Sequence, residues 1–207
     1  MALYSKEKKF IFVHIYKCAG NSIGSMLRKT NDVIEIHNAH TIIRDVKKYF
    51  YEDIKEPSLY ADSYKFSFVR NPYSMMVSLY FYIRVATGHE FHSKIYPMSF
   101  AEFLFWYKDK LNEKYKYGAH GYFTLLDFLN DEEKRMEMDY VGKIENIETD
   151  FGKISSQLGI VCDKIPMMNV KRGKFYDSNY KKYYSNLSKN LVRQMFEKDL
   201  DYFNYIF

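Results

Sequence analysis

An α/β fold of three layers, with helices on both faces of a central, mostly parallel sheet, is what the sequence predicts. Apolar runs of strand length alternate with segments of helical periodicity, the order that yields a parallel sheet covered on both sides. One run ends abruptly in "KCAGNS" (17–22), a small-residue turn at the head of a helix. That is a P-loop-like strand–loop–helix suited to phosphate. No repeat or low-complexity linker divides the 207 residues, so a single domain over 1–207 is expected. It is long enough to bury a substantial core.

The elements follow in order. "KKFIFVHI" (8–15) reads as a buried strand, followed by a helix from about Asn21 to Lys29. "DVIEI" (32–36) is a second strand, and "HTIIRDVKKYF" (40–50) has apolar residues at helical spacing. "YKFSFV" (64–69) is a third strand, closed by "RNP". Pro72 suits the first turn of the next helix, where its missing N–H is not needed. That helix, "PYSMMVSLYFYIRVA", is apolar nearly all round. "TGHEFHSKIYP" (87–97) reads as a loop, and "SFAEFLFWYKDKL" (99–111) as a helix with a Ser99–Glu102 capping box. The chain is irregular around 112–123. "DYVGKI" (139–144) is a late strand, "ENIETDFGKISSQLG" a helix stopped at Gly159, and "SKNLVRQMFEKDLDYF" a closing helix.

Bulk properties exclude several classes. Cys18 and Cys162 are too few and too far apart for a disulfide framework or a zinc site. "MALYSKEKKF" lacks the apolar core of a signal peptide, and no run approaches the roughly 18 apolar residues of a membrane span. A reducing cytoplasm is the expected location. The net charge of +5 fits a lysine-rich surface as well as an anionic ligand. Nothing points to a nucleic-acid partner. "HNAH" (37–40) has His at i and i+3 without a third ligand nearby, so no metal is expected.

Two constellations carry chemistry. The loop of Lys17, Cys18, Ala19, Gly20, Asn21 and Ser22 points free backbone N–H groups at one spot, where the helix dipole adds positive potential. Lysine precedes glycine, the reverse of the Walker A order, which disfavours ATP or GTP bound in that manner. On composition alone the loop suits a structural turn as well as an anion site. The second constellation places Arg70 at the carboxyl end of a strand, where open α/β sheets bind ligands, with Ser78 two turns into the next helix. A guanidinium there offers a bidentate fork for phosphate, and Ser78 suits the site or the core.

Together these segments resemble the sulfotransferases that use 3′-phosphoadenosine-5′-phosphosulfate (PAPS). "FIFVHIYKCAGNS" (10–22) is similar to their 5′-phosphosulfate loop, H-I-P-K-T-G-G-T-S, and "FSFVRNPYSMMVSLYFY" (66–82) to F-V-R-N-P-x-x-R-x-V-S-x-Y. "DYVGKIENIETDF" (139–151) resembles D-F-V-G-R-x-E-N-L-x-x-D-F, and the segment from Tyr180 resembles the family's closing tail. The order spans nearly the whole chain, in the pattern of bacterial members akin to Golgi carbohydrate (family 2 type) sulfotransferases. Three positions of the loop depart from the pattern, Tyr16, Cys18 and Ala19, and a methionine stands where many relatives carry arginine.

The resemblance implies roles. Lys17 and the backbone of Cys18 to Ser22 hold the 5′-phosphosulfate, and Arg70 and Ser78 hold the 3′-phosphate. Lys17 also follows the charge that builds on the leaving oxygen. A late basic loop, here Lys171, Arg172 and Gly173, contacts the donor in relatives; a solvated charge run accounts for it as well. Glu145 and its asparagine neighbour support the fold.

The general base expected is His40, because carbohydrate 2-O-sulfotransferases carry a similar H-x-H; the spacing here is one residue longer, so His37 remains open, and a histidine that caps a helix or fills a polar pocket is the structural alternative. His14 belongs with the scaffold. The acceptor expected is a saccharide or glycoconjugate hydroxyl, met by residues 87–123, although Trp106 on its apolar helix face suits the core. Two alternatives stand beside this reading: a nucleotide-dependent phosphotransferase, and a non-catalytic module that binds the product 3′-phosphoadenosine-5′-phosphate (PAP).

Overall fold

Ala2–Ser5 and Phe10–Val13 pair as an antiparallel hairpin, strands β1 and β2, with Ser5 opposite Phe10. The computed structural model describes residues 1–36, 41–112, 123–161 and 179–207. β1 is absent from the sequence expectation, for a physical reason. The turn that follows it, residues 6–9, is wholly charged and places Lys9 at φ 49°. Asp32 closes that turn from a distance, accepting from the Ser5 hydroxyl and the Glu7 amide at 2.7 Å each. A charged turn without Gly, Asn or Pro carries no hairpin signal.

Along the chain follow α1 (Gly20–Leu27), β3 (Ile34–Ile36), α2 (Ile43–Lys48), α3 (Pro57–Ala61) and β4 (Tyr64–Val69). Then come α4 (Pro72–Val85), α5 (His92–Ile95), α6 (Phe100–Asn112), α7 (Leu125–Leu129), β5 (Tyr140–Lys143), α8 (Ile147–Leu158) and α9 (Asn186–Tyr202). Among the described residues the strands form one sheet in the order β3-β1-β2-β4-β5. β1 runs against both neighbours, whereas β2, β4 and β5 are parallel. Only β1 is therefore reversed, and the sheet is mostly parallel in direction, as its alternating pattern predicts.

The described residues fall into two compact units. The first comprises 1–36, 41–69 and 125–161 and contains the sheet. On one sheet face, Leu3, Phe10, Phe12, Phe66 and Phe68 meet Ile23, Met26 and Leu27 of α1 and Phe151, Ile154 and Leu158 of α8 in a continuous buried core. Each fully buried phenylalanine contributes about 2–3 kcal/mol of transfer free energy. Gly142 of β5 belongs to this packing, because a Cβ there would lie 2.5 Å from the Phe68 ring.

The opposite face is covered by α2, a π-helical turn at Tyr49–Asp53, and α3. Tyr4 meets Phe50 edge-on at 5.0 Å, and Phe50 meets Tyr60 at 5.9 Å. Helices on both faces make the three layers. The charge of Lys65, buried in β4, is met by the Ser63 carbonyl at 2.8 Å, the Asp139 carboxylate at 3.9 Å and the Tyr60 ring face at 4.9 Å.

The second unit comprises 70–112, 123–124 and 179–207 and is helical with an aromatic core. Tyr80 meets both Phe100 and Phe103 at 5.4 Å. Trp106 is buried against Phe91 and Phe103, so its indole belongs to this core. The Ser99–Glu102 capping box forms in both directions. Within the expected loop 87–97, α5 folds because Ile95 is fully buried and the His92 ring bonds the Ile83 carbonyl at 3.0 Å.

Candidate active site

The loop that leaves β2 is set from beneath. The Ser67 hydroxyl of β4, fully buried, donates to the Val13 carbonyl at 2.7 Å and so anchors the point of departure. The next residues are inward-facing: His14, Ile15, Tyr16 and Cys18 are all buried. Tyr16 sets its ring edge-on to Phe128 at 5.6 Å. The His14 imidazole stacks near Phe12 and occupies the space beside Gly20. A Cβ on Gly20 would fall 1.7 Å from His14 Cδ2, so this position excludes every other residue type without rearrangement.

Two residues of the turn are left-handed without being glycine: Lys17 at φ 59° and Ala19 at φ 58°. Each such placement costs about 1 kcal/mol. Backbone strain of this kind concentrates where a turn is shaped for a ligand. Ala19 is the N-cap of α1, and the first intrahelical bond runs from the Ile23 amide to its carbonyl at 3.1 Å. The amides of Gly20, Asn21 and Ser22 precede that bond and point out of the helix end. Ala19 offers no side-chain oxygen to cap this end, and its first turn carries no acidic residue. The first turn of α1 thus sets no carboxylate of its own against the positive dipole end, with Lys17 half-buried beside it in sequence and Asn21 exposed.

The second constellation is built on the start of α4. Asn71 caps it, its Oδ1 accepting from the Tyr73 amide at 3.0 Å, and Pro72 stands in the first helical position. Arg70, directly before the cap, donates from Nε to the Ser74 hydroxyl at 2.9 Å. This bond fixes the guanidinium plane through one of its five N–H donors; the planar fork of the terminal nitrogens suits a phosphate's oxygens. Ser78 lies one turn beyond Ser74 on the same face and is buried. Ser74 joins the site only through this bond, although its spacing of four from both Arg70 and Ser78 is the signal that marks it in the sequence.

The structure thus gathers Lys17, Cys18, Ala19, Gly20, Asn21 and Ser22 into one turn, and Arg70 with Ser78 onto one helix start. His37, His40, Lys171, Arg172 and Gly173 lie outside the described residues. Glu145 and Asn146, read as supports of the fold, are exposed in a 3-10 turn. The buried carboxylate of that segment is Asp150, which accepts from the Tyr140 hydroxyl at 2.8 Å and the Lys143 amide at 2.9 Å. Among the described residues no group of three or more His, Cys, Asp or Glu side chains is placed to hold a metal ion. No helix among them is long and apolar enough to cross a membrane.

Known proteins resemble the chain at the level of family and fold. A model described as "Sulfotransferase family" matches residues 1–206. Among solved structures, the chain is similar to mouse sulfotransferase SULT7A1 complexed with PAP, with a TM-score of 0.53 and 15% sequence identity. The match covers 95% of this chain and 86% of that one. At that identity the likeness speaks for the fold. No curated protein matches the sequence significantly.

Proposed function

The chain belongs to the sulfotransferase family, and from that premise we propose that it moves a sulfuryl group from PAPS to a hydroxyl of a saccharide or glycoconjugate. The observation that carries the reading is the Lys17–Ser22 turn: a helix end whose N-cap residue, Ala19, has no capping side chain and whose first turn carries no carboxylate, shaped by two left-handed residues and following a lysine-bearing loop. The donor's 5′-phosphosulfate binds there, held by the amides of Gly20 to Ser22 and the Lys17 ammonium; the Cys18 amide, read from the sequence as a further donor, is instead bonded to the Ile15 carbonyl at 3.3 Å. Arg70, steadied by Ser74, and Ser78 hold the 3′-phosphate that separates this donor from ATP. The saccharide acceptor is supported by the likeness of the four sequence segments to carbohydrate sulfotransferases.

In the reaction the acceptor oxygen attacks sulfur in line, the sulfur–oxygen bond to the 5′-phosphate breaks, and PAP leaves. Lys17 stabilises the charge that develops on the departing phosphate. The acceptor proton passes to a base, His40 or His37.

Calorimetry with PAP and ATP tests the donor assignment. PAP is expected to bind more tightly, and a preference for ATP would overturn it. Transfer of labelled sulfuryl groups to a panel of saccharides tests the rest. Lys17→Ala is expected to lower turnover by about a hundredfold or more. Arg70→Ala is expected to weaken PAP by about tenfold through the loss of charge-assisted bonds.

A further inference from the structure

We propose that residues 206–207 position the Arg70 arm, and that Phe207 is a positioning residue for the donor's 3′-phosphate; the proposal rests on the reading of Arg70 and Ser78 as the groups that hold that phosphate. An N-cap needs only the oxygen of its asparagine. Asn71 uses both ends of its amide. While Oδ1 caps α4, Nδ2 donates to the Ile206 carbonyl at 2.8 Å and reaches the Tyr180 hydroxyl at 3.4 Å. The side chain beside Arg70 is thereby tied to a segment 135 residues away in the chain.

Phe207 holds that segment in place. Its ring meets Tyr73 of α4 edge-on at 5.0 Å, Tyr184 at 5.3 Å and Tyr180 at 6.0 Å. The Lys189 ammonium lies 4.3 Å from the ring centroid, a cation–π contact. The Lys181 ammonium donates to the Phe207 carbonyl at 3.1 Å. The Tyr184 hydroxyl donates to the Tyr73 carbonyl at 2.8 Å, and burial keeps that phenol protonated far above neutral pH. These contacts converge on residues 71–73, the first turn of the helix that carries Ser74 and Ser78. Arg70 is bonded to Ser74, so the orientation of its guanidinium follows that turn. Holding a phosphate ligand within a fraction of an ångström requires such a second layer of support.

The test compares PAP with adenosine 5′-monophosphate, which lacks the 3′-phosphate, by calorimetry on the full chain. Phe207→Ala is expected to weaken PAP about tenfold while adenosine 5′-monophosphate stays within about twofold. The KM for PAPS should rise with kcat at saturating donor retained. Phe207→Tyr, which keeps the ring, should restore PAP affinity. Asn71→Ser, which keeps a capping oxygen and removes the donor to Ile206, should reproduce the selective loss even if Phe207→Ala fails to fold. Equal losses for both nucleotides, or no loss, would overturn the positioning role. If Arg70→Ala itself leaves PAP affinity intact, the underlying phosphate assignment fails instead, and the two failures are distinct.

Discussion

Position 20 has no room for a side chain, and the reason is His14 rather than the turn. The sequence suggests that Ala19 and Gly20 both serve to keep the turn open. In the structure the left-handed conformations fall on Lys17 and Ala19, while Gly20 is the first helical residue. Its hydrogen is needed because the His14 ring fills the adjacent space. Gly20→Ala is therefore expected to destabilise the protein by about 1–3 kcal/mol, as overpacking does. Ala19→Gly should have the opposite sign, stabilising by about 0.5–1 kcal/mol once backbone strain is relieved. Urea unfolding of the two variants checks both. The small residues of "KCAGNS" made the turn legible. Which of them would carry the strain was not, because the choice depends on a ring contributed from the end of β2.

The junction of β5 with α8 shows how much one element's reading depends on a buried group. The helix and its stop at Gly159, left-handed at φ 59°, follow from local signals. Its anchor at Asp150 does not, since a carboxylate in a helix reads as a solvated face. Burial raises the Asp150 pKa, but bonds from the Lys143 amide, the Tyr140 hydroxyl and Lys153 outweigh it, so the carboxyl titrates below its ordinary range. A depressed folded-state value means that the stabilisation is present in full above about pH 4, where the unfolded carboxyl ionises, and is lost as pH falls through the folded value. Asp150→Asn should therefore cost about 2 kcal/mol at neutral pH. The gap between variant and wild type should close in acid, which urea titrations at the two pH values would read.

Across the molecule the family model spans 1–206 and so covers both compact units. A ligand that binds only the folded chain stabilises it by about 2.7 kcal/mol at a hundredfold excess over its dissociation constant. PAP should accordingly raise the thermal midpoint, more than adenosine 5′-monophosphate does at equal concentration, and Arg70→Ala should abolish the difference. The α/β class, the helix at 72–85 and the phosphate turn were readable because each is written locally, as an apolar run of strand or helix length bounded by turn residues or as a small-residue turn. The position of β1 between β2 and β3, the ring beneath Gly20, and the reach of Ile206 to Asn71 were settled only in three dimensions. Each joins groups far apart in the chain or turns on side-chain packing, and a local hydropathy pattern says which face is buried without saying what will bury it.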